Sequence, residues 1–548
     1  MKKMQNLWLM VTVIALFFAG CSKKEIQPPL PADSGLYLNM TGMGDSWAQF
    51  KTTQFYQELL KLDLWKDPGI AKGVAEARQS LFLPDPAAVA LNQEIAAILT
   101  NRRVDIGVRF EGIIPQVVAV FDLGEKGDAV KVVDFLNKTF GSKPVSTQEY
   151  QKTKISTIAI EGPLSLSYYF HKNLLIASND TLAIQTTIDV LRKRAPGFLD
   201  SDVYKKLQEG TSSFANRFYF SPSTLQKFLD KQPEEVRKAF KELVDEYQEL
   251  RIAWNFGKTG ADSVIRIDFK PASKFLAMFP KNGREGASEA WIPDNAILAS
   301  SASVMFKEMY TYHKDKLMGT AEPPQREMIL AGIGAANQAL GLDIEKELFD
   351  ILGNEIFWCI QSVNSGGFAP IPETVFGVEI RDEARARALL SRIENLIAEA
   401  SGGDRVAFTE TDVAGLAYRS VPLPFGDNLN PGYAISGKFL LLATSPAGIT
   451  EAQKTIRGER KGLLKDEKFL AVASENAGNA IGFQYMNLEL FWKAISDIVN
   501  NYRILMPKDI NPDHLRAACT TLGLIDSYFA DAAVADSHLE SRLKILVR

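Results

Sequence analysis

The chain repeats a set of hydrophobic landmarks, so its fold must accommodate two passes of one design. Ile95-Ala96-Ala97-Ile98-Leu99-Thr100-Asn101 precedes an alternating run from Val104 to Phe110. Leu348-Phe349-Asp350-Ile351-Leu352-Gly353-Asn354 precedes a similar run from Ile356 to Ile360. Pro115-Gln116-Val117-Val118-Ala119-Val120-Phe121-Asp122-Leu123 is echoed by Pro372-Glu373-Thr374-Val375-Phe376-Gly377-Val378-Glu379-Ile380. A helical pattern follows each: Val130, Val133, Leu136 and Phe140 mark the first, and Ala386, Leu389, Leu390, Ile393 and Leu396 the second. That spacing places the apolar side chains on one face. Leu174-Leu175-Ile176-Ala177-Ser178 then matches Leu440-Leu441-Leu442-Ala443-Thr444, and Phe218 to Ser221 matches Gln484 to Asn487. Gly260 to Ser263 recurs as Ala535 to His538, and even the openings agree, Pro31 to Leu36 against Pro293 to Leu298. Order is kept while separations drift as loop insertions would make them, which predicts an internal duplication.

Hairpin-like alternating strands with separate helices read as α+β: two homologous modules, each a mainly antiparallel sheet with helices packed on one face. The breaker-rich stretch Pro280-Lys281-Asn282-Gly283-Arg284-Glu285-Gly286 divides them, placing the modules at 33–283 and 284–548. With 548 residues, 46% hydrophobic and 23% charged, the chain can fill sizeable cores and is too apolar for disorder. The second copy carries two inserted loops, 364–371 and 421–431. The latter holds Pro422, Pro424, Phe425, Asn428 and Pro431. It is the candidate binding loop, since loops on a rigid scaffold are where binding function concentrates.

At the other end, Lys2 and Lys3 precede an apolar run from Leu7 to Ala19, then Gly20-Cys21-Ser22. A membrane span needs ~20 apolar residues, and this run is shorter. A basic start, a brief apolar stretch and small residues make a secretory signal. With cysteine at the cleavage point, Leu16-Phe17-Phe18-Ala19-Gly20-Cys21 resembles the lipobox of bacterial lipoproteins, although Phe18 stands where Leu is usual. The resemblance implies a signal peptide at 1–20, cleavage between Gly20 and Cys21, and a diacylglycerol thioether and amide-linked acyl chain on Cys21. Membrane attachment would then run through those acyl chains. Several chains anchor stably where one is marginal. It also implies an envelope location, and Ser22 in place of the inner-membrane-retaining Asp favours the outer membrane. Residues 21–32, with Pro28-Pro29-Leu30-Pro31, read as an extended tether.

Formal charge is −4, from 62 basic and 66 acidic residues; removing Lys2 and Lys3 makes it −6 (60 against 66). Without a basic cluster, nucleic acid is not an expected partner. Cys359 and Cys519 either pair in an oxidising compartment or serve as buried small hydrophobes. His171, His313, His514 and His538 are scattered, without metal-ligand spacing, so no metal or cofactor is expected. Lys258-Thr259-Gly260 and Ser541-Arg542-Leu543-Lys544 imitate elements of penicillin-binding enzymes, but in the wrong order and on a strand. Asp122 and Glu379, at equivalent strand ends, could be an acid–base pair or local turn stabilisers. Trp47, Phe50, Phe55, Tyr56 and Trp65, with Met305, Phe306, Met309, Tyr310 and Tyr312, read as helix faces on their own sheets or as an apolar groove between the copies.

The Pro-Ala-Asp opening, the Leu-Leu-Gly-like turn before a strand, Val378-Glu379-Ile380 before a helix, and Leu440 to Ala447 together resemble a bacterial envelope family called domain of unknown function 3352. That family implies no catalytic residues. The expectation is a non-enzymatic, lipid-anchored binding or scaffold protein, with an envelope protein or apolar ligand as partner. The alternatives are a carrier of a lipid or other apolar ligand in a groove between the modules and, behind it, a hydrolase with an unrecognised site.

Overall fold

The structure is a computed structural model that describes residues 28–62, 95, 98–99, 102–124, 126–140, 145–161, 164–281, 283, 286–364, 370–401, 407–421, 423, 429–473, 480–502, 511–535 and 537–548. Gly20, Cys21, Trp65, Pro422, Pro424, Phe425 and Asn428 lie outside the described residues. The chain divides into two compact units between Ala272 and Ser273, rather than at 283–284.

The first unit is one antiparallel sheet. Its strands are β1 (Leu36–Thr41), β2 (Arg103–Arg109), β3 (Gln116–Asp122), β4 (Val145–Tyr150), β5 (Thr153–Glu161), β6 (Leu164–His171), β7 (Leu174–Ser178), β8 (Asn216–Phe220), β9 (Tyr247–Gly257) and β10 (Gly260–Phe269). They run in the order β4-β5-β6-β7-β3-β2-β1-β8-β9-β10. Helices α1 (Met43–Phe50), α2 (Gln54–Lys61), α3 (Lys126–Phe140), α4 (Thr181–Leu191), α5 (Asp202–Gln208) and α6 (Glu234–Glu246) fill the connections.

The second unit contains β11 (Leu298–Ser303), β12 (Leu352–Asn364), β13 (Ile371–Ile380), β14 (Thr409–Val413), β15 (Leu416–Ser420), β16 (Gly432–Ser436), β17 (Phe439–Ala443), β18 (Gly482–Asn487), β19 (Ile525–Val534) and β20 (His538–Val547). Their order is β14-β15-β16-β17-β13-β12-β11-β18-β19-β20, again antiparallel throughout. The helices here are α7 (Phe306–Thr320), α8 (Pro323–Leu340), α9 (Glu383–Ala400), α10 (Pro446–Ile456), α11 (Glu467–Val472), α12 (Leu488–Asn501) and α13 (Pro512–Leu522).

Helices cover both faces of each sheet, which corrects the one-faced arrangement expected from sequence. The reason is visible in β3, where Val117 to Phe121 is apolar at every position rather than at alternate ones. Val118 and Val120 pack with Ala183 and Ile184 of α4, while Val117, Ala119 and Phe121 join the opposite cluster with Val244 of α6. A strand apolar on both sides must be buried on both sides. In the second unit, Leu441 and Ala443 meet Ile449 and Ala452 of α10; Ile435 and Leu440 meet Ala386, Leu389 and Leu390 of α9.

Two further sequence expectations shift. Pro28 to Pro31 is not a tether, because Leu30 is fully buried in the first core and its carbonyl accepts from Phe198 N at 2.8 Å. Any spacer therefore ends before Pro28. In the ladders Asp122 pairs with Leu174, and Glu379 with Phe439. Strand β7 thus corresponds to Phe439–Ala443, one residue off the match read from sequence, and such a slip exchanges the two faces.

Candidate functional site

A cavity of about 610 Å³ opens in the second unit between α9 and the sheet beneath it. Phe376 on β13 and Leu440 and Leu442 on β17 make its floor, with Leu390, Ile393 and Ile397 on α9 opposite. Val421 and Pro431, the two feet of the candidate binding loop, close one side. Leu442 lies on a strand bonded to neighbours on both sides, yet is 40% exposed; Ile397 across from it is 41% exposed. Central-strand leucines ordinarily disappear into the core, so this apolar wall faces open space.

A polar strut accounts for the gap. On the floor side, Arg419 (β15) and Tyr433 (β16) are directly paired in the ladder. Both reach up to Glu394 on α9. Arg419 Nε donates to Glu394 Oε1 and Nη2 to Oε2, each at 2.6 Å, and the Tyr433 hydroxyl donates to Oε1 at 2.6 Å. Arg and Tyr are long, so they hold the helix at their own length above the strands. The first unit builds the corresponding place differently: Ser156 faces Tyr168 in the ladder, and Tyr168 sinks into an apolar cluster with Val132, Ile158 and Leu175.

Electrostatics hold the strut in its charged form. The hydrogen bond from Arg419 lowers the Glu394 carboxyl below its ordinary range, against an opposing push from burial. Burial, then the bond to Glu394, pushes the Tyr433 hydroxyl up to about 12. The Arg419 guanidinium is itself raised by its bond to Glu394. Side-chain exposure of Glu394 is 11% and of Arg419 35%, so the pair sits at the rim rather than in bulk water.

Of the loop residues read as a binding site, Pro431 lines this cavity; the other four are outside the described residues. Sequence reasoning missed Glu394, Arg419 and Tyr433. One signal was available: Glu394 lies four residues after Leu390 and three before Ile397, an acid set into an apolar helix stripe. Nothing local marked its partners, which come from strands about 25 and 39 residues away.

The remaining candidates resolve into structural roles. Asp122 accepts from Gly124 N at 2.9 Å and Asn173 Nδ2 at 2.6 Å; Glu379 accepts from Asn354 N at 2.9 Å and Glu355 N at 3.2 Å. Each carboxylate therefore stabilises a turn or strand irregularity. Cys359 and Cys519 are both buried free thiols, and burial pushes Cys359 up to about 12. Lys258 and Thr259 are the tip of the β9–β10 hairpin, where Gly257 pairs with Gly260. Ser541 donates to the Asp531 carbonyl within the β19–β20 ladder. Phe50 packs on Phe256 of β9, and Tyr310 on Phe349, each within its own unit. Among the described residues no three His, Cys, Asp or Glu side chains cluster as a metal site requires. No helix among them is long and apolar enough to cross a membrane.

No curated protein matches the chain. A solved structure described as crystal form III of TP0453 is similar over 46% of this chain and 86% of its own, at 8% identity and a TM-score of 0.26. The family described as Protein of unknown function (DUF3352) matches residues 111–402, just over half of the chain and across the division between the units.

Proposed function

The chain belongs to the DUF3352 family, and on that premise we propose a lipid-anchored bacterial envelope protein, built from a duplicated module, that binds an apolar ligand rather than catalysing a reaction. The lipobox-like Gly20-Cys21 supports the anchor, and Ser22 favours the outer membrane. Duplication is supported by the matching strand orders. Matching small features support it too: the isolated bridges Pro31–Gly197 and Pro293–Gly462, and the bonds from Phe198 N to Leu30 O and from Leu463 N to Ile292 O. The absence of a surviving catalytic motif in the sequence supports binding over turnover.

The single observation behind the ligand is the propped-open wall at Leu442 and Ile397. Its volume falls in the ordinary range of small-molecule sites, ~300–1,000 Å³. Water against that wall gains little, whereas an apolar guest would gain ~25 cal/mol per Å² covered. The neutral dye N-phenyl-1-naphthylamine tests this. Wild-type protein should raise its fluorescence saturably, and Leu442→Trp, which fills the cavity from a tolerant half-exposed position, should abolish the rise. Equal dye binding by both proteins would refute the site.

A further inference from the structure

The cavity's polar groups are spent in one direction. Among the described residues, three side chains on its lining can donate a hydrogen bond: Thr374, Tyr433 and Thr444. Tyr433 gives its proton to Glu394 at 2.6 Å. Thr444 Oγ1 donates to the Pro372 carbonyl at 3.0 Å, and Thr374 Oγ1 turns toward the same oxygen at 3.4 Å. Acceptors remain. An ionised carboxylate offers about four lone-pair positions, and Glu394 uses three of them, two from Arg419 and one from Tyr433. Among the described residues, the strut itself carries a net negative formal charge, because one Arg419 is shared between Glu394 and Glu410, the latter at 3.4 Å.

Size narrows the guest further. A methylene-sized group occupies on the order of 30 Å³, the share of a water molecule in the liquid. The cavity of about 610 Å³ therefore has room for roughly 20 such groups, enough for one chain and its head.

We propose, resting on the apolar-ligand reading above, that the cavity selects a single-chain amphiphile whose head donates a hydrogen bond and carries no negative charge, a hydroxyl or an ammonium, and that it discriminates against carboxylates. A carboxylate head placed against the lining would find the hydroxyls of Thr374, Tyr433 and Thr444 already engaged and Glu394 beside it. A buried polar group without a partner costs enough to weaken binding roughly ten-fold or more. A hydroxyl or ammonium instead completes the last open position on Glu394.

Competition against N-phenyl-1-naphthylamine on the full-length protein tests the selectivity with three probes of one chain length: hexadecanol, hexadecylamine and palmitate. Hexadecanol or hexadecylamine should displace the dye at roughly one-tenth the concentration of palmitate or less. The alcohol and amine arms tell a neutral donor from a cationic one. Glu394→Gln, which turns the acceptor into a donor as well, should narrow the gap. Palmitate displacing as well as the other two, in a manner lost in Leu442→Trp, would overturn the head-group selectivity while leaving the site standing. Displacement by none of the three, or displacement unaltered by Leu442→Trp, would overturn the site itself.

Discussion

At the scale of single residues, the second sheet depends on an absent side chain. A Cβ on Gly377 would lie 2.0 Å from Phe357 Cε1, and Phe357 is fully buried. Gly377→Ala should therefore cost about 1–3 kcal/mol through overpacking, read as an earlier denaturant midpoint for the second unit; an unchanged midpoint would contradict the packing. Glu394 supplies a pH signature. Its folded-state pKa is lowered, first by the Arg419 bond. Its contribution is thus complete above the unfolded value of ~4.3 and disappears as pH falls through the lower folded value. Arg419→Met should destabilise by about 1–3 kcal/mol at neutral pH, with the difference from wild type shrinking only below pH ~4. A difference constant down to strongly acid pH would count against the ion pair. Cys359 and Cys519, as buried free thiols, should both react with a thiol reagent after unfolding without reductant, and Cys359 should resist it in the native protein. Finding neither thiol reactive in the unfolded, unreduced chain would mean they are bridged.

At the scale of elements, the sequence legibly placed α9 and its apolar face: Ala386, Leu389 and Leu390 do pack on the sheet. What periodicity could not convey was the height at which the helix rides. That depends on Arg419 and Tyr433, whose neighbours in space are set by a ladder register invisible to local pattern. The same blindness produced the one-sided sheet. Alternation in Val104 to Phe110 suggested a single buried face, whereas the unbroken apolar run Val117 to Phe121 already required two. Removing the strut should let α9 settle. Arg419→Ala is expected to keep the helix, seen by circular dichroism, while reducing dye uptake roughly ten-fold as the cavity shrinks. Undiminished uptake would mean that something else holds the helix up.

At the scale of the whole molecule, the proposed duplication is read from hydrophobic landmarks, which survive sequence drift better than individual residues do. The division between Ala272 and Ser273 was misplaced because breaker residues mark loops, not the point where packing changes sides. Pro28 to Pro31 misled for a related reason: prolines indicate extended chain, and extended chain can still be buried, as Leu30 is. The proposed anchor rests on Cys21 alone. Cells fed a labelled fatty acid should label the parent protein, and Cys21→Ala should lose both the label and the membrane fraction. A variant that stays on the membrane, from a parent that takes no label, would remove the lipoprotein reading.

Ligand binding is open to native mass spectrometry of the protein gently extracted from its own membranes, wild type beside Leu442→Trp. An additional mass of one small apolar molecule is expected on the wild type, removed by mild organic extraction and missing from the variant. Bare protein in both samples, or the same adduct on both, would contradict it.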